Sequence, residues 1–194
     1  MTKGSDQYKK PVTYAFIDSQ NLNLGVQNDI LNNKGKVLYT GRKLDFKKFH
    51  DYLHQKYHVD VAYLFIGFVS AHTALYAALQ QAGFILIFKE IASHFDEEGL
   101  LVTKGNVDTD ITLFAAARLF EEYDRAIFVS GDGDFLSLYD YLEEKGKLHL
   151  ILAPNRFSYS KLLNKYRHKL KFVSDLRPIF RANKTTRSGD RREP

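Results

Sequence analysis

The residues best able to do chemistry in this chain are aspartates that follow apolar runs. Ser130-Gly131-Asp132-Gly133-Asp134 comes directly after Ala126-Ile127-Phe128-Val129, and Asp18, with Asn21 three residues on, closes the run Val12 to Ile17. A third source of carboxylates, Asp108 and Asp110, opens a helical stretch just after Lys104 and Gly105. Each acid has a plainer use. Asp134 is placed to cap a helix starting at Phe135, Asp108 and Asp110 fit the acidic bias of a helix N-terminus, and Asp18 suits a turn. For Asp110 the plainer use prevails. The conjunction says more than any member, because carboxylates packed together raise one another's pKa and strain the fold unless a cation neutralises them. Hard oxygen donors with no histidine or cysteine beside them suit Mg²⁺ or Mn²⁺ rather than zinc.

Such acids meet only if the elements before them lie side by side. Val12–Ile17, Val59–Phe68, Phe84–Lys89, Ala126–Ser130 and Leu148–Ala153 read as strands, and the near-continuous apolar runs indicate strands buried on both faces. Helical spacing marks Leu44–Tyr57, His72–Ala82, Val107–Tyr123, Phe135–Lys145 and Tyr159–His168. The polar stretch from Asn21, including an insertion over 28–42, reads as loop with one helical turn, and Glu90–Asn106 reads as loop. Strands alternating with helices predict a three-layer αβα fold with a mostly parallel central sheet. In such sheets ligands bind outside the carboxyl ends of the strands, where strand order reverses. Asp18 and the Ser130–Asp134 turn occupy such ends.

The chain has 194 residues, which suits one domain. The expected division is a flexible lead at 1–10, a domain at 11–178 and a basic flexible tail at 179–194. Cysteine is absent, which excludes disulfides, zinc-thiolate sites and thiol nucleophiles. The N-terminus is polar and no apolar run approaches the roughly 20 residues of a membrane span. A cytoplasmic protein without membrane contact is the expectation. The net charge of +5 argues mildly for a polyanionic partner.

Other constellations fail. Asp132, Asp134 and Glu143 mimic an EF-hand, but Leu136 and Ser137 stand where an acid or amide and a glycine belong. His50, His54 and His58 share a helix face without an intervening glutamate, and a polar helix face is the plainer reading. A strand-one aspartyl phosphatase wants a second aspartate at position 20, which is Gln20. No nucleophile elbow and no phosphate-binding glycine loop is present. After the last strand, Arg156, Phe157, Tyr159 and Lys161 interleave cations with aromatics, as proteins that grip single-stranded nucleic acid do. Lys165, Arg167, Lys169 and Lys171 extend the basic run, and a solvated helix face is the alternative.

Three segments, YAFIDSQNL, KGNVDTDITLFAAARL and YDRAIFVSGDGDFLSLYDYLEEKGK, resemble in order and spacing the NYN domain family, in its LabA-like branch among the PIN-like nucleases. The resemblance runs from about Val12 to Leu176. It implies a PIN-like sheet of order 3-2-1-4-5, with strands one and four adjacent, and either a metal-dependent ribonuclease or a nucleic-acid-associated regulator. Carried over, Asp18, Asn21, Asp108, Asp132 and Asp134 are the catalytic residues. Asp18 and Asp132 ligate Mg²⁺ or Mn²⁺, while Asp108 and Asp134 do so directly or through water. Asn21 orients a phosphate or a ligand carboxylate, and Ser130, Lys104 and Asp110 are secondary candidates. The ion stabilises charge on the phosphodiester and lowers the pKa of its water. RNA, single-stranded or structured, is the implied substrate. A non-catalytic RNA- or protein-binding module keeping the acidic pocket is the alternative. PIN-like domains often pair, so a homodimer is a further expectation, with no face assigned to it. One position departs: where many relatives carry an aspartate six residues after Asp108, this chain has Phe114.

Overall fold

The structure, a computed structural model, describes residues 9–89, 92–95, 101–104 and 107–181, with the backbone alone for 92–95 and 101–104. Along the chain run β1 (Thr13–Asp18), α1 (Ser19–Gln27), β2 (Ile30–Leu31), β3 (Val37–Tyr39), α2 (Phe46–Tyr57), β4 (Val61–Gly67), α3 (Thr73–Gln81), β5 (Ile85–Lys89), β6 (Ala92–Phe95), β7 (Leu101–Lys104), α4 (Asp108–Leu113), β8 (Arg125–Val129), α5 (Leu136–Glu144), β9 (Leu148–Ala153) and β10 (Leu170–Phe172). Six strands form one sheet in the order β10-β9-β8-β1-β4-β5, every pair parallel. Numbering only these six, the order is 3-2-1-4-5 with a sixth strand added beyond the fifth. The expected three-layer α/β architecture is present, and β1 and β8 lie side by side at the point where the order reverses.

The two faces of the sheet bury different chemistry. Ala15, Ile17, Ile127 and Val129 face an aliphatic core with Leu22 and Val26 of α1, Phe49 and Leu53 of α2 and Leu79 of α3. The alternate residues Tyr14, Phe16, Ala126 and Phe128 face α4 and α5. There the rings of Phe16 and Phe128 stack at 5.3 Å and Phe128 meets Tyr139 at 5.1 Å. The aromatic content of the chain is therefore concentrated in one layer.

Several local readings need correction. Residues 19–27 form a helix rather than a loop, because Asp18 caps it by accepting the Asn21 N–H at 3.0 Å and because Leu22 and Val26, four apart, bury one face. The 28–42 insertion forms a β2–β3 hairpin. The Tyr39 hydroxyl at 2.9 Å and the Arg42 N–H at 2.7 Å both donate to the Val26 carbonyl at the end of α1. The expected loop over 90–106 contains an antiparallel β6–β7 hairpin. β5 is an edge strand with Ile85 and Phe88 exposed, not a strand buried on both faces. The helix after Val107 widens into a π turn at 114–118, and the buried Tyr123 hydroxyl donates to the Ala115 carbonyl there at 2.6 Å. Residues 161–166 form a tighter 3-10 helix in place of the expected longer helix over 159–168. Among the described residues no helix is long and apolar enough to cross a membrane. Residues 1–8 of the expected lead and 182–194 of the expected tail lie outside the described residues.

The helix α1 sits so close to the end of β9 that only glycine fits at 25: a Cβ there would lie 2.5 Å from Pro154 Cβ. Gly25→Ala must lift α1 from the rigid proline ring, at a cost of about 1–3 kcal/mol. The expected fall in the thermal midpoint is roughly 3–10 °C, measured by circular dichroism; an unchanged midpoint refutes the tight docking of α1.

Candidate functional site

The parallel register of β1 and β8 pairs Ile17 with Val129, so the next residues, Asp18 and Ser130, emerge together at the sheet's carboxyl edge. Both are buried. The Ser130 hydroxyl stands 3.5 Å from Asp18 Oδ2 and accepts the Asp132 N–H at 3.2 Å. The Asn21 side-chain oxygen accepts the Gly131 N–H at 2.8 Å, which ties α1 to the acid-bearing turn. Asn21 thus braces the site as well as lining it.

The turn itself reverses an expected assignment. Asp132, not Asp134, is the cap: its Oδ1 accepts the Asp134 N–H at 3.0 Å, at the head of the 3-10 turn 133–135. Asp134 is left exposed, in the first turn. Gly133 is required by crowding. The segment after β9 packs onto the turn, with Ser160 N–H donating to the Gly131 carbonyl at 2.8 Å, and a Cβ on Gly133 would lie 2.4 Å from Ser160 Oγ.

The α4 helix supplies Asp108 from the other side. Carboxylate oxygens of Asp108, Asp132 and Asp134 lie within 4.8 Å of one another, and theirs is the three-residue group of His, Asp and Glu side chains, among the described residues, close enough to hold a metal ion. Asp18 lies behind them. Burial is the main cause that pushes its pKa up to about 6. The N–H groups of Asn21 and Gln20 pull it down, and the charges of Asp108 and Asp132 raise it further. Hard carboxylate donors with no histidine or cysteine fit Mg²⁺ or Mn²⁺, and the charges of Asp108 and Asp132 add to the effect of burial on Asp18.

A residue that the sequence did not single out completes the pocket. The Tyr139 side chain is fully buried and its hydroxyl has no hydrogen-bond partner among the described residues. Burial holds its pKa well above the usual phenol value, and the charges of Asp18, Asp132 and Asp108 add to this. The signal was a tyrosine on a helix face otherwise built from Phe135, Leu138 and Leu142.

Other candidates go elsewhere. Asp110, two residues past Asp108, faces β5 and pairs with Lys89 at 3.0 Å, so it does not take the place of the missing aspartate. The Phe114 ring meets Phe65 at 5.4 Å and lies under Arg118. Lys104 ends β7, and its side chain lies outside the described residues. Arg156 pairs with Asp175 at 2.5 Å and sits above the Phe172 ring, while the Tyr159 hydroxyl donates to Asn164 at 2.8 Å. Phe157 and Lys161 are exposed. Half of the expected basic extension is paired, Lys165 with Asp140 and Lys169 with Glu143 of α5. His54 Nδ1 meets the Val59 carbonyl and His58 ends α2 in the left-handed region, so the histidine row finishes a helix.

A model of the NYN domain family matches residues 13–172, from the first residue of β1 to the last of β10. The chain belongs to the NYN domain family. The family carries a PIN-like nuclease fold, and in this NYN domain the acidic cluster lies at the strand ends. Among solved structures, a protein of unknown function from Vibrio parahaemolyticus is similar in fold. It is 20% identical with a TM-score of 0.66, over 88% of this chain and 97% of that chain. No curated protein sequence matches the chain.

Because the Asp18 pKa is higher folded than unfolded, its contribution favours folding below about pH 4 and is lost as pH rises through 6. Above pH 6 the buried charge costs roughly 2–3 kcal/mol. Asp18→Asn keeps the cap. In EDTA it is expected to match the parent near pH 4, to exceed its thermal midpoint increasingly as pH rises to about 6 and to hold that margin above it; parallel pH profiles would refute the burial of an ionised Asp18.

Proposed function

We propose that this NYN domain is a Mg²⁺- or Mn²⁺-dependent ribonuclease of the LabA-like branch, acting in the cytoplasm on single-stranded or structured RNA. The observation that carries the reading is the convergence of Asp108, Asp132 and Asp134 within 4.8 Å in front of the buried Asp18, at the switch point of a PIN-like sheet. Asp132 and Asp134 hold the ion from the turn after β8 and Asp108 holds it from α4. Asp18 adds negative charge from behind. A bound divalent ion supplies charge stabilisation for the phosphodiester oxygens and a water of lowered pKa. Ser130 and Asn21 fix the turn so that the carboxylates stay aimed despite their repulsion. Phe157 and Tyr159, on the segment packed against the turn, offer aromatic faces to unpaired bases, and Lys161 offers a charge to phosphate.

A second reading has its own observation. Phe114 fills the place of a family aspartate with an aromatic contact, and Asp110 is engaged by Lys89. That favours a module that keeps the pocket but binds RNA or a protein without cutting. A homodimer is compatible with either reading.

Incubation of labelled single-stranded RNA with the protein in Mn²⁺, Mg²⁺ or EDTA separates the two. Cleavage is expected with metal only. Asp132→Asn is expected to reduce it more than about a hundredfold, since even indirect partners of a metal ligand are worth ~10–100-fold, and to abolish the rise in thermal midpoint that Mn²⁺ gives the parent. RNA left intact in every lane, with a shifted band, establishes the binding module.

A further inference from the structure

One residue past Asp18 the chain enters a second site. Ser19 and Gln20 line a groove of about 500 Å³ between α1, the segment leading into α2, and α3, in the range of small-molecule sites, roughly 300–1,000 Å³. One wall is polar: Gln20, Asn23 and Gln27 recur at helical spacing along α1, and the Gln27 amide donates to Asn23. The floor is apolar, built from the buried Leu64 and Leu79. The rim carries Lys43 and Arg181, both exposed.

These two cations are held together by backbone. Arg181 N–H donates to the Lys43 carbonyl at 3.0 Å, and their neighbours Leu44 and Phe180 form an antiparallel bridge. Among the described residues, no carboxylate lines the groove and neither cation forms an ion pair. Asp45, adjacent in the chain, is turned to α2, where it accepts the Lys48 N–H at 3.2 Å. Two cationic side chains carried by paired backbone on one rim, with no ion pair among the described residues, attract an anion. An apolar floor takes a flat, weakly polar body, and a row of side-chain amides offers donors and acceptors to its edge. A base joined to a phosphate meets all three conditions.

We propose that this groove is a nucleotide subsite for single-stranded RNA, in which the floor takes a base, the α1 amides meet the base edge, and Lys43 and Arg181 take a phosphate. It rests on the reading of the acidic cluster as the cleavage centre. Consecutive Cα atoms are 3.80 Å apart, so the wall that begins at Ser19 adjoins Asp18, and the groove serves the nucleotide next to the one presented to the aspartates.

The test is fluorescence anisotropy of a labelled uridine pentanucleotide with the full chain in EDTA, across a salt series. Variants are Lys43→Ala with Arg181→Ala, Leu75→Glu on the exposed face of α3 that lines the groove, Lys161→Ala, and Asp132→Asn. The double variant is expected to bind at least about tenfold more weakly, with its salt slope reduced by about 0.7, since each phosphate neutralised on a single strand adds ~0.7 to the slope and the two cations share one. Leu75→Glu is expected to weaken binding similarly by placing a carboxylate in the groove, while Asp132→Asn, which removes one repelling charge in the absence of metal, is expected to tighten it. Unchanged affinity in both groove variants, or loss confined to Lys161→Ala, overturns the subsite and leaves the nuclease reading standing. Groove-dependent binding without cleavage in any metal supports the subsite and removes the nuclease. Absence of RNA binding in the parent overturns the subsite.

Discussion

The constraint on which this molecule is organised is repulsion among aspartates. Asp108, Asp132 and Asp134 come within 4.8 Å of one another with Asp18 buried behind them, and no histidine or cysteine shares the group. Such a group does not assemble by its own attraction. It is held by the parallel register of β1 and β8, which delivers Asp18 and Ser130 side by side, and by hydrogen bonds that run between elements rather than within them. Asn21 of α1 grips Gly131, Ser130 joins Asp18 to Asp132, and Ser160 grips Gly131 from the far side. The partners that hold the carboxylates are backbone N–H groups and neutral side chains, so the acids are positioned by a neutral frame. Asp18 and Asp132 are drawn into the frame themselves, Asp18 as the cap of α1 and Asp132 as the cap of the turn it belongs to.

That frame explains what could be read from the sequence and what could not. Strand ends are visible as the last apolar residue before a polar one, so Asp18 and the Ser130–Asp134 turn could be placed without tertiary information. A parallel sheet then brings them together for any chain of this pattern. The roles inside the turn were less legible. Asp134 stands in the ordinary position for a helix cap, but a 3-10 turn intervenes and passes the cap to Asp132. The α1 helix was hidden because Asn21, Asn23 and Gly25 are poor helix formers. Its stability comes from a cap and from two buried residues, and both depend on neighbours. β5 looked doubly buried because an edge strand of apolar residues has the same composition as a central one; only the strand order distinguishes them. The β6–β7 hairpin lies in a polar stretch whose pairing the pattern did not signal.

The two faces of the sheet serve different demands. The aromatic face lies under α4 and α5, the helices next to the acids, and large flat rings fill that space with few rotatable bonds. A rigid layer there resists the tendency of like charges to spread. Tyr139 belongs to this layer, and its hydroxyl, without a partner among the described residues, feels the charge of the acids. Phe114 belongs to it as well. With Phe65 and Arg118 around it, an aspartate at that position would forfeit this ring packing.

The aliphatic face serves the opposite end of the charge pattern. α1 separates the negative group from the paired cations Lys43 and Arg181, and its first residue follows directly on Asp18. A polyanion crossing this edge would meet repulsion from the aspartates alone and attraction from the cations one helix away. A divalent ion would offset two of the negative charges of the first region without changing the second. On the proposed reading, the acids would repel a polyanion without the ion and would do so less with it, while the cations would attract it in both states. The helix that the sequence made hardest to see is the element both regions share, so its docking against Pro154 sets the spacing between the group that would cut a strand and the groove that would hold it.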